Sequence, residues 1–222
     1  MRDAGDGPAS GFRFGTVTRY VTALASGTFD LALVSAGDAS CARPLALGHV
    51  TLDAGKLATV VVMGLARVDA GSPSALAIAA FTDDATASTE AARARFIHAA
   101  PGAAGGGAAP LSISVTSGGN AITLAARVEP GHAATPSESP PRIDALGYGS
   151  AAPLTSSGAL RVASLADGGG PTWTTSGADL TMSASSVHTA FVFDASGAGD
   201  LAVLWCDDRS VAMRSTPCTI LR

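Results

Sequence analysis

The sequence predicts an all-β protein: two tandem antiparallel immunoglobulin-like β-sandwich domains, the first of them incomplete. Apolar residues alternate with polar ones at period two, the pattern of a strand with one buried face. Glycine-rich turn segments punctuate the chain at short intervals, and no stretch reads as an amphipathic helix of three turns. The chain also repeats itself once at a domain-sized period, which marks duplication of a whole folding unit rather than a solenoid.

Taken in order, the first copy opens on Phe14-Gly15-Thr16-Val17-Thr18, echoed later by Tyr148-Gly149-Ser150-Ala151-Ala152. After the turn at Ala25-Ser26-Gly27, Phe29, Leu31 and Leu33 alternate with Thr28, Asp30 and Ala32. Val50-Thr51-Leu52-Asp53-Ala54 is answered by Leu180-Thr181-Met182-Ser183-Ala184, each running into a turn. The stretch from Ser74 to Asp84 reads like Gly199 to Asp208, a matched strand end. Ala85 to Ala94 is a linker despite its alanines, because Thr86, Ser88 and Thr89 disfavour helix. The boundary near Thr89-Glu90-Ala91 gives domains 1–90 and 91–222.

In the second domain, Leu111-Ser112-Ile113-Ser114-Val115-Thr116 alternates up to the turn Ser117-Gly118-Gly119-Asn120. Val187, Thr189, Phe191 and Phe193 alternate with His188, Ala190 and Val192 before the turn Ser196-Gly197-Ala198-Gly199. Two segments read as mobile surface loops: Gly102 to Ala109, nearly all glycine and alanine, and Glu129 to Pro141, rich in proline. The loop before Arg142 is where a variable binding surface is expected. The first copy has no counterpart of the segment from Ala92 to about Val115, so Met1 reads as an internal start with any export signal upstream. A sandwich without its first strand exposes an unpaired edge; it is expected to be unstable, to aggregate, or to accept a strand from another domain or chain.

Composition narrows the function classes. The 222 residues are 47% hydrophobic and 14% charged, with 26 glycines and a formal charge of −4. Basic residues are scattered, so neither a nucleic-acid footprint nor a polybasic membrane contact is present. No stretch approaches the ~20 apolar residues that a membrane helix requires, which leaves no membrane insertion expected.

The segment Ala92-Arg93-Ala94-Arg95-Phe96-Ile97-His98-Ala99-Ala100-Pro101 resembles the opening strand and turn of the domain of unknown function 4397 family, whose usual form is A-R-V-R-x-V-H-A-S-P. Ser26-Gly27-Thr28-Phe29-Asp30-Leu31 is similar to a second strand of that family, and Thr51-Leu52-Asp53-Ala54-Gly55-Lys56 with Thr59-Val60-Val61 to a third and fourth. The resemblance covers nearly the whole chain. It implies a bacterial exported or cell-surface β-sandwich module, commonly in tandem, and transfers no catalytic residue. Copy two departs from copy one in carrying Ser185-Ser186-Val187 where copy one has Gly55-Lys56-Leu57.

Cys206 and Cys218 flank a stretch that a disulfide would staple back onto the last strand; free thiols in a reducing cytosol and a metal site with further soft ligands are the alternatives. Cys41 is left over, either to pair with a cysteine upstream or to stay inert. Asp83-Asp84 and Asp207-Asp208 sit at corresponding strand ends, where paired carboxylates can hold calcium between domains. Calcium takes six to eight oxygens, and the EF-hand spacing is absent, so the preferred reading is a solvated turn. His49, His98, His132 and His188 are dispersed without metal-ligand spacing. His98, between a strand and Pro101, is the one to follow; bonding to turn backbone is favoured over catalysis. His132 is expected to be exposed. No G-x-S-x-G elbow occurs, and Gly55-Lys56-Leu57 lacks the surroundings of a phosphate loop. Trp173 either stacks on sugar rings or caps the sandwich half-buried.

The function expected is therefore a non-catalytic extracytoplasmic or cell-surface structural or adhesion module without cofactor, whose partner is a surface protein or a glycan. The first alternative is a carbohydrate-binding module, which needs Trp173, Tyr148 or Tyr20 exposed on one flat face. The second is a metal-dependent or serine hydrolase, which needs His98 or His188 to converge with Asp207, Asp208 or a serine.

Overall fold

A computed structural model of the protein describes residues 26–38, 42–65, 75–83, 89, 92–100, 109–117, 119–134, 149–151, 154–166, 170, 172–175, 180–195, 201–208 and 218–221. The described elements are all β. Phe14 to Tyr20, Cys41, Asp84 and Tyr148 lie outside the described residues.

Residues 26–83 supply two hairpins. The alternating run around Phe29 forms β1 (Gly27–Leu33), antiparallel to β2 (Ala46–Leu52) with Phe29 opposite Val50. β3 (Leu57–Met63) pairs antiparallel with β4 (Ala77–Asp83), Leu57 opposite Asp83. The hairpins stack through β2 and β4, brought close by the missing side chain of Gly48: a Cβ there would come within 2.7 Å of Ile78 Cβ.

Residues 92–221 form a two-sheet sandwich. One sheet runs β11 (Thr172–Thr174), β10 (Leu154–Ser164), β6 (Leu111–Ser117), β7 (Asn120–Val128), and β12 (Leu180–Met182) also pairs with β10. The other runs β15 (Cys218–Leu221), β14 (Leu201–Asp207), β13 (Val187–Asp194), β5 (Ala92–His98), β8 (Ala133–Ala134), with β9 (Gly149–Ala151) also on β5. Between them lies the core, including Phe96, Leu111, Ile113, Leu160, Ala190, Val192 and Val203, all at most 2% exposed.

Two features depart from the sequence expectation. The β5–β13 ladder is parallel, with Arg95 opposite Thr189 and Phe96 opposite Ala190, whereas the other ladders among the described strands are antiparallel. The segment from Glu129, expected as a loop, begins with a turn and then contributes β8, whose Ala133 pairs with Ile97. Two alanines carry no strand signal of their own; the edge of β5 recruits them.

The two parts of the chain use the same turn. Lys56 N–H donates to Asp53 O at 3.1 Å, and Ser186 N–H donates to Ser183 O at 3.1 Å. The third turn residue is left-handed in both, Gly55 at φ 73° and Ser185 at φ 65°. Glycine adopts this conformation without the Cβ clash that a serine incurs.

Candidate functional site

The six-stranded sheet has two faces. Phe96, Ala190 and Val203 turn into the sandwich core, while Ile97 and Phe191 turn outward and meet Val61, Ala79 and Phe81 of the β3–β4 hairpin. That hairpin therefore lies on the outer face of the sheet. Arg95, one step from Phe96 along β5, points the same way as Ile97 and is wholly buried.

A buried guanidinium has lost its water and must find oxygen acceptors from the protein. Arg95 Nη2 donates to Asp83 Oδ1 at 2.5 Å and to Thr59 Oγ1 at 3.1 Å. Its Nη1 donates to the Thr82 carbonyl at 3.2 Å, and its Nε to Thr189 Oγ1 at 3.1 Å. Thr59 Oγ1 donates to Asp83 Oδ2 at 2.7 Å, and Thr189 Oγ1 donates to Asp208 Oδ2 at 2.6 Å. The ring of Phe81 lies 5.9 Å from the guanidinium carbon, within range of a cation–π contact. Thus β3, β4, β5, β13 and the end of β14 converge on one cation.

Asp83 and Asp208 are 5% and 4% exposed, so the expectation of solvated turns is corrected at both positions. Asp83 ends the hairpin and Asp208 follows β14, and their carboxylate oxygens serve Arg95 and the two threonines. Among the described residues no group of three His, Cys, Asp or Glu side chains is placed to hold a metal ion.

His98, 1% exposed, ends β5. Ala100 N–H donates to its Nδ1 at 3.2 Å, which requires an unprotonated Nδ1, so Nε2 carries the proton and donates to Ala109 O at 3.0 Å. Its own backbone accepts from Gly131 N–H and donates to His132 O. Burial lowers the His98 pKa below its ordinary 6.5, against the smaller upward pulls of the Ala109 carbonyl and the Glu129 charge. His98 thus fastens the chain on both sides of the turn after β5. His132 is exposed. His49, exposed on the β1–β2 hairpin, pairs with Asp30 at 2.6 Å.

His188 lies opposite Asp207 in the β13–β14 ladder, but its ring stacks on Trp205 at 4.6 Å and its Nδ1 donates to the Cys206 carbonyl at 3.2 Å. Cys206 and Cys218 face each other across β14 and β15 and form a disulfide. It lies on the outer face beside Phe193 and Leu204. Trp173, on the edge strand β11, is partly buried against the sandwich core. It borders a cleft of about 540 Å³ at the margin between the sheets, lined also by Thr172, Thr174, Thr175, Leu201 and Val203.

Sequence reasoning singled out Asp83 and Asp208 without seeing their partner. In the sequence Arg95 and Thr59 stand out only as members of family-like segments and Thr189 only as a member of an alternating run, and none of the three is marked as a partner of the carboxylates. The available clue was alternation: Arg95 sits between Phe96 and Ala94 in a strand whose every residue but one is buried.

A sequence model of the family described as "Domain of unknown function (DUF4397)" matches residues 4–105, a stretch that includes β1 to β5. No curated protein and no solved structure matches the chain.

Two outcomes test this geometry. Arg95→Ala leaves the Asp83 carboxylate buried without its cation, and is expected to cost about 3–5 kcal/mol in urea denaturation. Adding Asp83→Asn to it should cost much less than the sum of the two single losses, because the groups act together. Strict additivity would refute the network. For His98, the unfolded chain takes up a proton near pH 6.5 while the folded chain refuses it until lower pH. Stability is therefore fully present above pH 6.5 and declines as pH falls through the window below it. Melting temperatures between about pH 7.5 and 5.5 should fall more steeply for the native chain than for His98→Gln. Parallel curves would show that His98 is not held neutral.

Proposed function

We propose, for a chain whose residues 4–105 match the domain of unknown function 4397 family, a non-catalytic extracytoplasmic or cell-surface structural or adhesion module built from tandem immunoglobulin-like copies. The observation that carries this reading is how the chain spends its buried charge. Arg95, Asp83 and Asp208 are engaged with one another's strands rather than aimed into a cleft, which is a use suited to stiffening an array of repeats. The tandem reading is supported by the shared turn and by the recurrence of one pair, Thr59 with Asp83 and Thr189 with Asp208. Location outside the cytoplasm is supported by the Cys206–Cys218 disulfide, since such bonds persist in oxidising compartments. The partner is a surface protein or a glycan.

The test is to separate source cells into cytoplasm, envelope and medium and to map non-reduced tryptic peptides of the chain from each. Trypsin cuts after Arg209 and Arg214, so Cys206 and Cys218 stay together only through a disulfide. The joined pair is expected in the envelope or medium. A cytoplasmic chain with both thiols free would sink the proposal.

A second reading, carbohydrate binding, draws on the cleft beside Trp173. An indole flanked by Thr172 and Thr174 offers an apolar face with hydroxyls around it, a combination that suits a sugar ring. Under this reading a glycan array gives a binder whose signal Trp173→Ala removes. A blank array, or a signal that survives the substitution, ends it.

A further inference from the structure

β3 and β13 hold the same place in the two repeats: each follows the shared turn, and each pairs antiparallel with the strand after it. Counting on from the turn sets Thr59 level with Thr189, Val60 with Ala190 and Val62 with Val192. β13 is flanked on its other edge by β5, lying parallel, with Phe96 beside Ala190 and His98 beside Val192. Among the described residues β3 has no strand on that edge.

The consequence is visible in exposure. Ala190 and Val192 are 0% exposed, whereas Val60 and Val62, at the matching positions, are 43% and 46% exposed. Phe29, Leu31 and Leu33 of β1 are likewise only half-buried. An unpaired strand edge beside uncovered valines is a template for strand addition, in which main-chain bonds give affinity and alternate side chains give register. The chain's own β5 is not available for this, since β13 holds one of its edges while β8 and β9 hold the other.

We propose that the open edge of β3 docks an extended strand of the β5 pattern contributed by a separate polypeptide. It lies parallel to β3 and sets its inward apolar residues over Val60 and Val62. This inference rests on the tandem-copy reading above. One further property follows from Arg95. Because it already occupies Thr59 and Asp83, the docked strand needs no arginine opposite Thr59, and an uncharged residue fits there.

The probe is a labelled synthetic peptide of residues 91–99 with Arg95→Thr, titrated against the full chain by fluorescence anisotropy. Saturable binding is expected. Adding Phe96→Asp to the peptide, or introducing Val60→Asp in the chain, should weaken it at least about tenfold. Val60→Asp should leave the melting temperature of the chain nearly unchanged, because the side chain is 43% exposed. Equal binding of both peptides would overturn the proposal, as would no binding tighter than about 1 mM. So would a dimer of the chain that Val60→Asp abolishes, because β3 would then pair with β3 of a second copy. Absence of peptide binding by a chain carrying the joined cysteine pair in the envelope overturns this inference and leaves the module reading standing.

Discussion

The arrangement of the molecule turns on one buried cation. Arg95 belongs to the sheet of the sandwich, yet most of its hydrogen bonds go to the hairpin that lies on that sheet's outer face. Apolar contact among Phe81, Ile97, Ala79 and Val61 makes the layers adhere, but apolar contact is non-directional and would tolerate sliding. A guanidinium that must satisfy fixed donors at several acceptors admits few registers. A buried ion pair of this kind adds little net stability, because desolvation offsets the attraction; its larger effect here is on which geometry is adopted.

The six-stranded sheet consequently serves two cores. Its inner face completes the sandwich with β6, β7 and β10, and its outer face receives the β3–β4 hairpin. This double burial explains why β5 is nearly continuous in buried residues instead of alternating with exposed ones. It also explains the parallel pairing at the centre. Strands covered on both faces are where parallel ladders are usually found.

Much of this was legible in the sequence. Period-two alternation located β1, β6 and β13, the Asp53 and Ser183 segments marked matching turns, and the cysteine spacing fitted the bond that forms. What was not legible depended on partners far away in the chain. Arg95 and Thr189 are 94 residues apart, and nothing local distinguishes an arginine on a solvated face from one whose acceptors arrive from another layer. The same holds for Asp83 and Asp208, which look like surface turn residues until Arg95 and Thr189 meet them. Strand β8 has no local signal because Ala133 and Ala134 are drawn into the sheet by the edge they meet, and the residues around Trp173 do not decide between solvent and core.

The position of the disulfide has a mechanical consequence. β15 is an edge strand held by four ladder pairs, from Val203 opposite Leu221 to Cys206 opposite Cys218. A force applied beyond Leu221 would peel this strand one pair at a time, the weakest way to load a sheet, because each bond is broken in turn. Peeling stops when it reaches Cys218. From there the pull passes through sulfur to Cys206 on β14, a strand with neighbours on both sides, and only the residues after Cys218 are given up as slack.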